Sequence, residues 1–61
     1  VNPQNEIYDE IYLVSHYNMG VVFYEINDYQ NAINCYEKTL KIDPNFVLAL
    51  FNLGMVSKKK K

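Results

Sequence analysis

The stretch HYNMGVVFYEINDYQNAINCYEKTLKIDP, residues 16–44, decides the fold. Its motif YNMG at 17–20 returns as FNLG at 51–54, a distance of 34 residues. The two copies carry Asn18 and Asn52 at equivalent positions. A period of this size is typical of proteins in which a small helical unit repeats and stacks on its next copy.

Three helices are predicted from the spacing of the apolar residues. Apolar side chains recur every three or four positions, which is the pattern of one face of an α-helix. The pattern predicts helices over about 4–26, 29–42 and 46–57. In the third helix, the pattern places Leu50, Leu53 and Gly54 on one face.

Two short turns separate these helices. Asn27 tolerates the left-handed backbone found just after a helix, and Asp28 is a good N-cap for the second helix. So short a link makes the first two helices lie antiparallel, as a hairpin. Asp43-Pro44 ends the second helix, because the residue before proline avoids helical dihedral angles. The predicted fold class is all-α, an antiparallel helix-turn-helix hairpin plus a third helix.

The composition is that of a globular chain. Of its 61 residues, 49% are apolar and 21% are charged, and the net charge is −1. Disordered segments lack so many apolar residues, and a general nucleic-acid surface needs a basic face. No apolar run reaches the ~20 residues of a membrane span, and no signal peptide is visible in VNPQNEIYDE at the start. We expect an intracellular protein of the cytoplasm.

The stretch resembles the tetratricopeptide repeat family, whose pattern is W-x2-L-G-x2-Y, then A-x3-F, then P. In this chain the pattern reads His16-x2-Met19-Gly20-x2-Phe23, then Ala32-x3-Tyr36, then Pro44. His16 replaces the large aromatic residue, and Thr39 stands where the family prefers alanine. The resemblance implies a right-handed α-solenoid fragment.

The resemblance also divides the chain into four segments. Residues 1–12 would extend the first helix, 13–46 would form one complete repeat, and 47–57 would be the first helix of a following unit or a capping helix. The lysines at 58–61 would form a tail that terminates the array.

Small residues are expected where the helices come closest. Gly20 and Ala32 leave no room for longer side chains there, and aromatic residues fill the wider gaps. The residues expected to pack between the helices are His16, Met19, Gly20, Phe23, Tyr29, Ala32, Ile33, Tyr36, Leu40 and Pro44.

The sequence shows no constellation of catalytic residues. His16 has no second ligand at a suitable spacing and is interpreted as a packed, hydrogen-bonded histidine. Cys35 is a lone thiol without a histidine in register. Glu6 and the other early carboxylates suit the start of a helix. We therefore expect no enzymatic activity, no metal and no cofactor.

The function that the resemblance implies is protein–protein interaction. Stacked helical repeats leave a concave groove lined by the first helix of each unit. The residues that would line it are Val14, Tyr17, Asn18, Val21, Tyr24, Glu25, Leu48, Phe51, Asn52 and Met55. The recurring amides would pair with the backbone of an extended peptide, since an amide both donates and accepts. We expect a protein or peptide partner and no small-molecule substrate.

Other functions are weighed against this one. The carboxylate clamp that some family members use is disfavoured, because its basic positions fall on Leu48 and Asn52. The same apolar surface would instead be buried in a structural module, against adjacent repeats or a second copy of the chain. The run Lys58–Lys61 is the only feature that suits nucleic acid or an anionic membrane, and solvation of a chain end explains it more simply.

Overall fold

The computed structural model describes the backbone of residues 3–60 and the side chains of residues 7–59. Helix α1 spans Pro3–Glu25, α2 spans Tyr29–Ile42 and α3 spans Val47–Lys60. The predicted all-α fold, a helical hairpin followed by a third helix, is confirmed. The ends of the expected N-terminal extension and lysine tail, residues 1–2 and 61, lie outside the described residues.

Helix α3 continues three residues beyond its predicted end at 57 and includes Lys58 and Lys59. Lysine is a good helix former, and its positive charge is favourable near the C-terminal end of a helix. The first lysines of the expected tail are therefore part of the helix.

The turn between α1 and α2 has the predicted chemistry. Asn27 adopts a left-handed backbone with φ 67°, and its N–H donates to the Tyr24 carbonyl at 3.0 Å. The Asp28 N–H reaches the Phe23 carbonyl at 2.8 Å. The Asp28 carboxylate caps α2 by accepting from the Asn31 N–H at 3.4 Å. This tight turn brings α2 back along α1.

The turn between α2 and α3 begins at Asp43, as predicted. Its backbone is extended, with φ −134° and ψ 94°, as expected of a residue before proline. Its N–H still donates to the Thr39 carbonyl at 3.0 Å, and its carboxylate accepts from the Asn45 N–H at 3.1 Å. The Phe46 N–H donates to the Asp43 carbonyl at 3.1 Å and closes the turn.

Helices α1 and α2 meet where Gly20 faces Tyr36. A Cβ atom added to Gly20 would lie 2.6 Å from Cε1 of Tyr36, so only glycine fits without movement. Tyr36 is 1% exposed and Ala32 is completely buried. This packing agrees with the expectation that Gly20 and Ala32 lie where the two helices come closest.

A buried hydrogen bond also joins these two helices. The Thr39 hydroxyl donates to the Leu13 carbonyl at 3.1 Å. Both residues are buried, and neither was among the predicted packing residues. Thr39 departs from the alanine that the family prefers, but its buried hydroxyl has a hydrogen-bond partner on α1.

Helix α3 packs on α2 through the face that carries Ala49 and Val56. Ala49 and Val56 are completely buried, whereas Leu50 is exposed. No atom lies within 4 Å of a Cβ added to Gly54. Helix α2 therefore covers the side of α3 that carries Ala49 and Val56, and Leu50 and Gly54 lie outside this contact.

The other predicted packing residues divide by exposure. Met19 and Pro44 are exposed, so they do not pack between the helices described in this structure, and their role in packing against a neighbouring repeat stays a prediction. Met19 lies on an exposed side of α1. Pro44 lies at the surface, in the turn that follows α2. The partly buried members of the set are His16, Phe23, Tyr29, Ile33 and Leu40.

Candidate functional site

The candidate binding face combines one side of α1 with one side of α3. Val14 and Asn18 are four residues apart on α1, and Leu48 and Phe51 are three apart on α3, so each pair shares a helix face. All four are exposed. Phe51 is 64% exposed.

Most of the remaining predicted groove residues are less exposed. Glu25 is exposed, and the partly buried ones are Tyr17, Val21, Tyr24, Asn52 and Met55. Tyr24 packs against Tyr29, with 5.8 Å between the ring centres. Part of the expected groove lining is thus used for packing within the chain.

Tyr17 is the residue through which α1 contacts α3. Its ring centre lies 5.4 Å from that of Phe46 and 5.9 Å from that of Tyr36. The Asn52 side-chain amide donates to the Tyr17 hydroxyl at 3.0 Å. We call this hydrogen bond with its ring contacts the Tyr17–Asn52 link. It fixes the position of one helix of the candidate face relative to the other.

The link changes the expected roles of the two recurring amides. One hydrogen of the Asn52 amide is used inside the protein, so Asn52 is not a free counterpart of Asn18. Sequence reasoning placed both residues in the groove but missed the bond between Tyr17 and Asn52. A signal existed: the two positions differ by one repeat period plus one residue, which brings them together when units stack.

In the described part of the chain, burial raises the pKa of two side chains, Tyr36 and Cys35. Burial raises the pKa of the Tyr36 phenol, and the neighbouring Asn52 amide works against that rise. Burial also raises the pKa of the Cys35 thiol, against the opposing effect of the Lys38 charge. Cys35 is therefore protonated near neutral pH, and a thiol is a much weaker nucleophile than a thiolate.

His16 lies at the edge of the packed region. Its Nδ1 donates to the Tyr12 carbonyl at 2.9 Å, and its ring stacks on the Tyr12 ring with centres 4.1 Å apart. The predicted hydrogen bond of a packed histidine is present, although the ring is only partly buried. Within residues 7–59, no group of three or more His, Cys, Asp or Glu side chains is arranged to hold a metal ion.

No helix in the described part of the chain has the length and apolar character needed to cross a membrane.

Comparison with known proteins agrees with the repeat. The family model described as tetratricopeptide repeat matches residues 14–46, and a second model with the same description matches residues 35–61. No solved structure matches the chain.

Two curated proteins are similar to the chain. Photosystem I assembly protein Ycf3 of Acaryochloris marina is 34% identical over 53 residues, which cover 87% of this chain and 31% of that protein. Uncharacterized protein ycf37 of Pyropia yezoensis is 36% identical over 58 residues, which cover 93% of this chain and 33% of that protein. The chain thus spans about a third of the length of these relatives.

Proposed function

Because the chain belongs to the tetratricopeptide repeat family, we propose that it is a protein-interaction module. It binds an extended peptide, or an extended segment of a partner protein, across the face shared by α1 and α3. The observation that carries this proposal is that Asn18, Leu48 and Phe51 are all exposed, on two helices that the bond from Asn52 to Tyr17 joins.

The chemistry of the face suits a peptide backbone. The exposed Asn18 amide can donate to a carbonyl and accept from an N–H, whatever the sequence of the bound peptide. Phe51 and Leu48 offer apolar area to the side chains between those backbone groups. Such a combination of an apolar centre with a few placed polar groups is common at protein interfaces.

The Tyr17–Asn52 link supports the proposal in a second way. Because a hydrogen bond joins α1 to α3 and Tyr17 also contacts Phe46 in the turn before α3, the two helices are held in place before a ligand arrives. Binding to a preformed surface avoids much of the entropy cost of ordering loops and side chains.

The similarity to a photosystem I assembly protein supports a role in assembly. We propose that the chain holds a partner protein while a larger complex is put together, as part of a longer repeat array. The partner is proposed only as a chain that presents an extended segment.

A structural module is the second candidate, and Gly54 favours it. Gly20 accommodates the ring of Tyr36, but its counterpart Gly54 has no neighbour within 4 Å. A helix from a following unit would find room there. In this alternative the exposed apolar side chains of α3 are covered by neighbouring repeats and bind no separate ligand.

A peptide-display library tests the first candidate. Peptides selected on the 61-residue chain should bind Asn18→Ala and Phe51→Ala at least tenfold more weakly. Asn34→Ala is the matched control, because Asn34 is an exposed asparagine on α2, away from the face. Asn52→Ala is avoided, since it would also break the bond to Tyr17.

Circular dichroism of each variant confirms that helix content is unchanged. Equal affinity of the selected peptides for the wild type and Asn18→Ala and Phe51→Ala would refute binding at this face.

A further inference from the structure

An open pocket lies where α1 runs past the end of α2. Its volume is about 410 Å³, within the range of roughly 300–1,000 Å³ in which proteins hold small ligands. Apolar side chains and carboxylates line it together, and the lining residues are Asp9, Glu10, Leu13, Ile42, Asp43 and Phe46. None of them belongs to the candidate binding face of α1 and α3, so the pocket is separate from that face.

The buried hydrogen bond between α1 and α2 fixes the two walls of this pocket. The Thr39 hydroxyl donates to the Leu13 carbonyl at 3.1 Å. Asp9 precedes Leu13 by four residues and Asp43 follows Thr39 by four, which is about one helical turn in each case. Because the two helices are antiparallel, both steps lead in the same direction, towards the end of α2. Asp9 and Asp43 therefore lie at the same end of the hairpin, on opposite walls of the pocket.

The apolar part of the pocket is held in place by the packing of the helices. Leu13 is buried, Phe46 is partly buried and Ile42 is 39% exposed. The Phe46 ring packs against Tyr17, with 5.4 Å between the ring centres. These side chains offer apolar contact to an aliphatic chain that enters the pocket.

The charges around the pocket favour a cation. Asp9 and Glu10 are exposed and lie beyond the first turn of α1, which begins at Pro3, so the helix dipole does not account for their position. Oδ1 of Asp43 accepts from the Asn45 N–H at 3.1 Å, and within the described residues Oδ2 has no donor. The C-terminal end of α2 adds the negative end of its helix dipole at the same place.

The described lysines of the chain do not supply this cation. Lys41 lines a different pocket on the surface of α2. Lys58 and Lys59 lie near the far end of α3, whereas Phe46 lies just before its start, and a helix of 14 residues is about 21 Å long. The cation that matches the pocket therefore has to come from another molecule.

We propose that the pocket binds an arginine side chain that a partner protein presents. The aliphatic stem packs on Leu13, Ile42 and Phe46, as the stems of long basic side chains do on apolar surfaces. The guanidinium then lies among the carboxylates, and its planar fork donates to more than one of them at once. Lysine carries a single point charge and would match this arrangement less well. The proposal goes beyond peptide binding on the α1–α3 face and does not depend on it.

An NMR titration of the isotope-labelled 61-residue chain with N-acetyl-arginine methylamide tests the proposal. The ligand is added to about 50 mM, because a single side chain binds at best in the millimolar range. We expect saturable shifts of the Ile42 methyl and Phe46 ring signals. The citrulline analogue has the same shape without the charge, and we expect it to bind at least tenfold more weakly.

A matched pair of variants separates the pocket from general attraction to acidic side chains. The double variant Asp9→Asn with Glu10→Gln should bind the arginine ligand at least fivefold more weakly. Glu37→Gln removes an exposed carboxylate of α2 that does not line the pocket, and it should bind as the wild type does. Asp43 is left unchanged, because it ends α2. Circular dichroism checks that both variants keep their helix content.

Four results would overturn the proposal. The absence of saturable shifts at Ile42 and Phe46 contradicts it, and so does equal binding of the arginine and citrulline ligands. Equal weakening by Glu37→Gln and by the double variant would show that the attraction is not specific to the pocket. Tighter binding of N-acetyl-lysine methylamide than of the arginine ligand would contradict the choice of arginine.

Discussion

Replacing Gly20 by alanine examines the closest contact between α1 and α2. The new Cβ atom would lie 2.6 Å from Cε1 and 2.8 Å from Cδ1 of Tyr36. The ring cannot swing aside easily, because Tyr36 is 1% exposed and packs beside Tyr17. Overpacking of this kind costs about 1–3 kcal/mol, and the better helix propensity of alanine returns about 0.5–1 kcal/mol.

Gly54→Ala is the matched control. Gly54 occupies the equivalent position one period later, but a Cβ atom added there has no neighbour within 4 Å. The substitution should therefore show the helix-propensity gain alone, about 0.5–1 kcal/mol of added stability. The difference between the two variants isolates the contact with Tyr36 and should be about 1–3 kcal/mol.

Urea unfolding followed by circular dichroism measures both variants. A difference of 1 kcal/mol corresponds to roughly 4–8 °C in the melting temperature of a domain this small. Gly20→Ala should be less stable than the wild type and Gly54→Ala more stable. Equal stabilisation by both substitutions would mean that α2 does not pack on α1 at Gly20.

Three further predictions concern stability. Thr39→Val removes the buried hydrogen bond to the Leu13 carbonyl. In urea unfolding, it should lower the free energy of unfolding by about 0.5–1.5 kcal/mol. An unchanged free energy would show that this bond does not stabilise the fold. Tyr17→Phe keeps the ring but removes the hydroxyl that accepts the hydrogen bond from Asn52. It should lower the free energy of unfolding by about 0.5–1 kcal/mol. A change in the NMR chemical shift of the Asn52 side-chain amide checks that the bond is lost. Burial raises the pKa of Cys35 above its ordinary 9.0 and that of Tyr36 above 10.0, so the unfolded chain loses these protons first as pH rises. The urea concentration at the unfolding midpoint should therefore decrease as the pH is raised beyond about 9. In Cys35→Ala this decrease should begin only at about pH 10. Midpoints that increase with pH would contradict both pKa shifts.

Features set by local chemistry could be predicted from the sequence. Asn27 has the left-handed backbone that ends α1, and Asp28 caps α2. Asp43 ends α2 because a proline follows it. Such signals depend on a few neighbouring residues, and so a single sequence is enough to locate them.

Features that depend on which helix face is covered could not be predicted as well. Helix α1 carries apolar residues on more than one side, and periodicity alone does not say which side α2 occupies. Met19 was therefore expected to pack but is exposed. The spacing on α3 likewise did not identify Ala49, rather than Leu50, as the residue that meets the core.

The candidate site remains a prediction, and the structure adds the positions of its two recurring amides. The sequence placed Asn18 and Asn52 one period apart on corresponding helices, and the structure sets them on α1 and α3 with Asn18 exposed and Asn52 partly buried. The bond from Asn52 to Tyr17 joins positions in different units, and its geometry depends on how those units stack. A repeat alignment compares equivalent positions and therefore overlooks a contact offset by one residue.

The most direct test of peptide binding on the α1–α3 face is an NMR titration of the isotope-labelled 61-residue chain with a library-selected peptide. We predict that the largest changes in amide and side-chain signals fall on Asn18, Leu48 and Phe51, while Asn34 on α2 is unaffected. Changes concentrated on the outer side of α2 would contradict the assignment of this face as the binding surface.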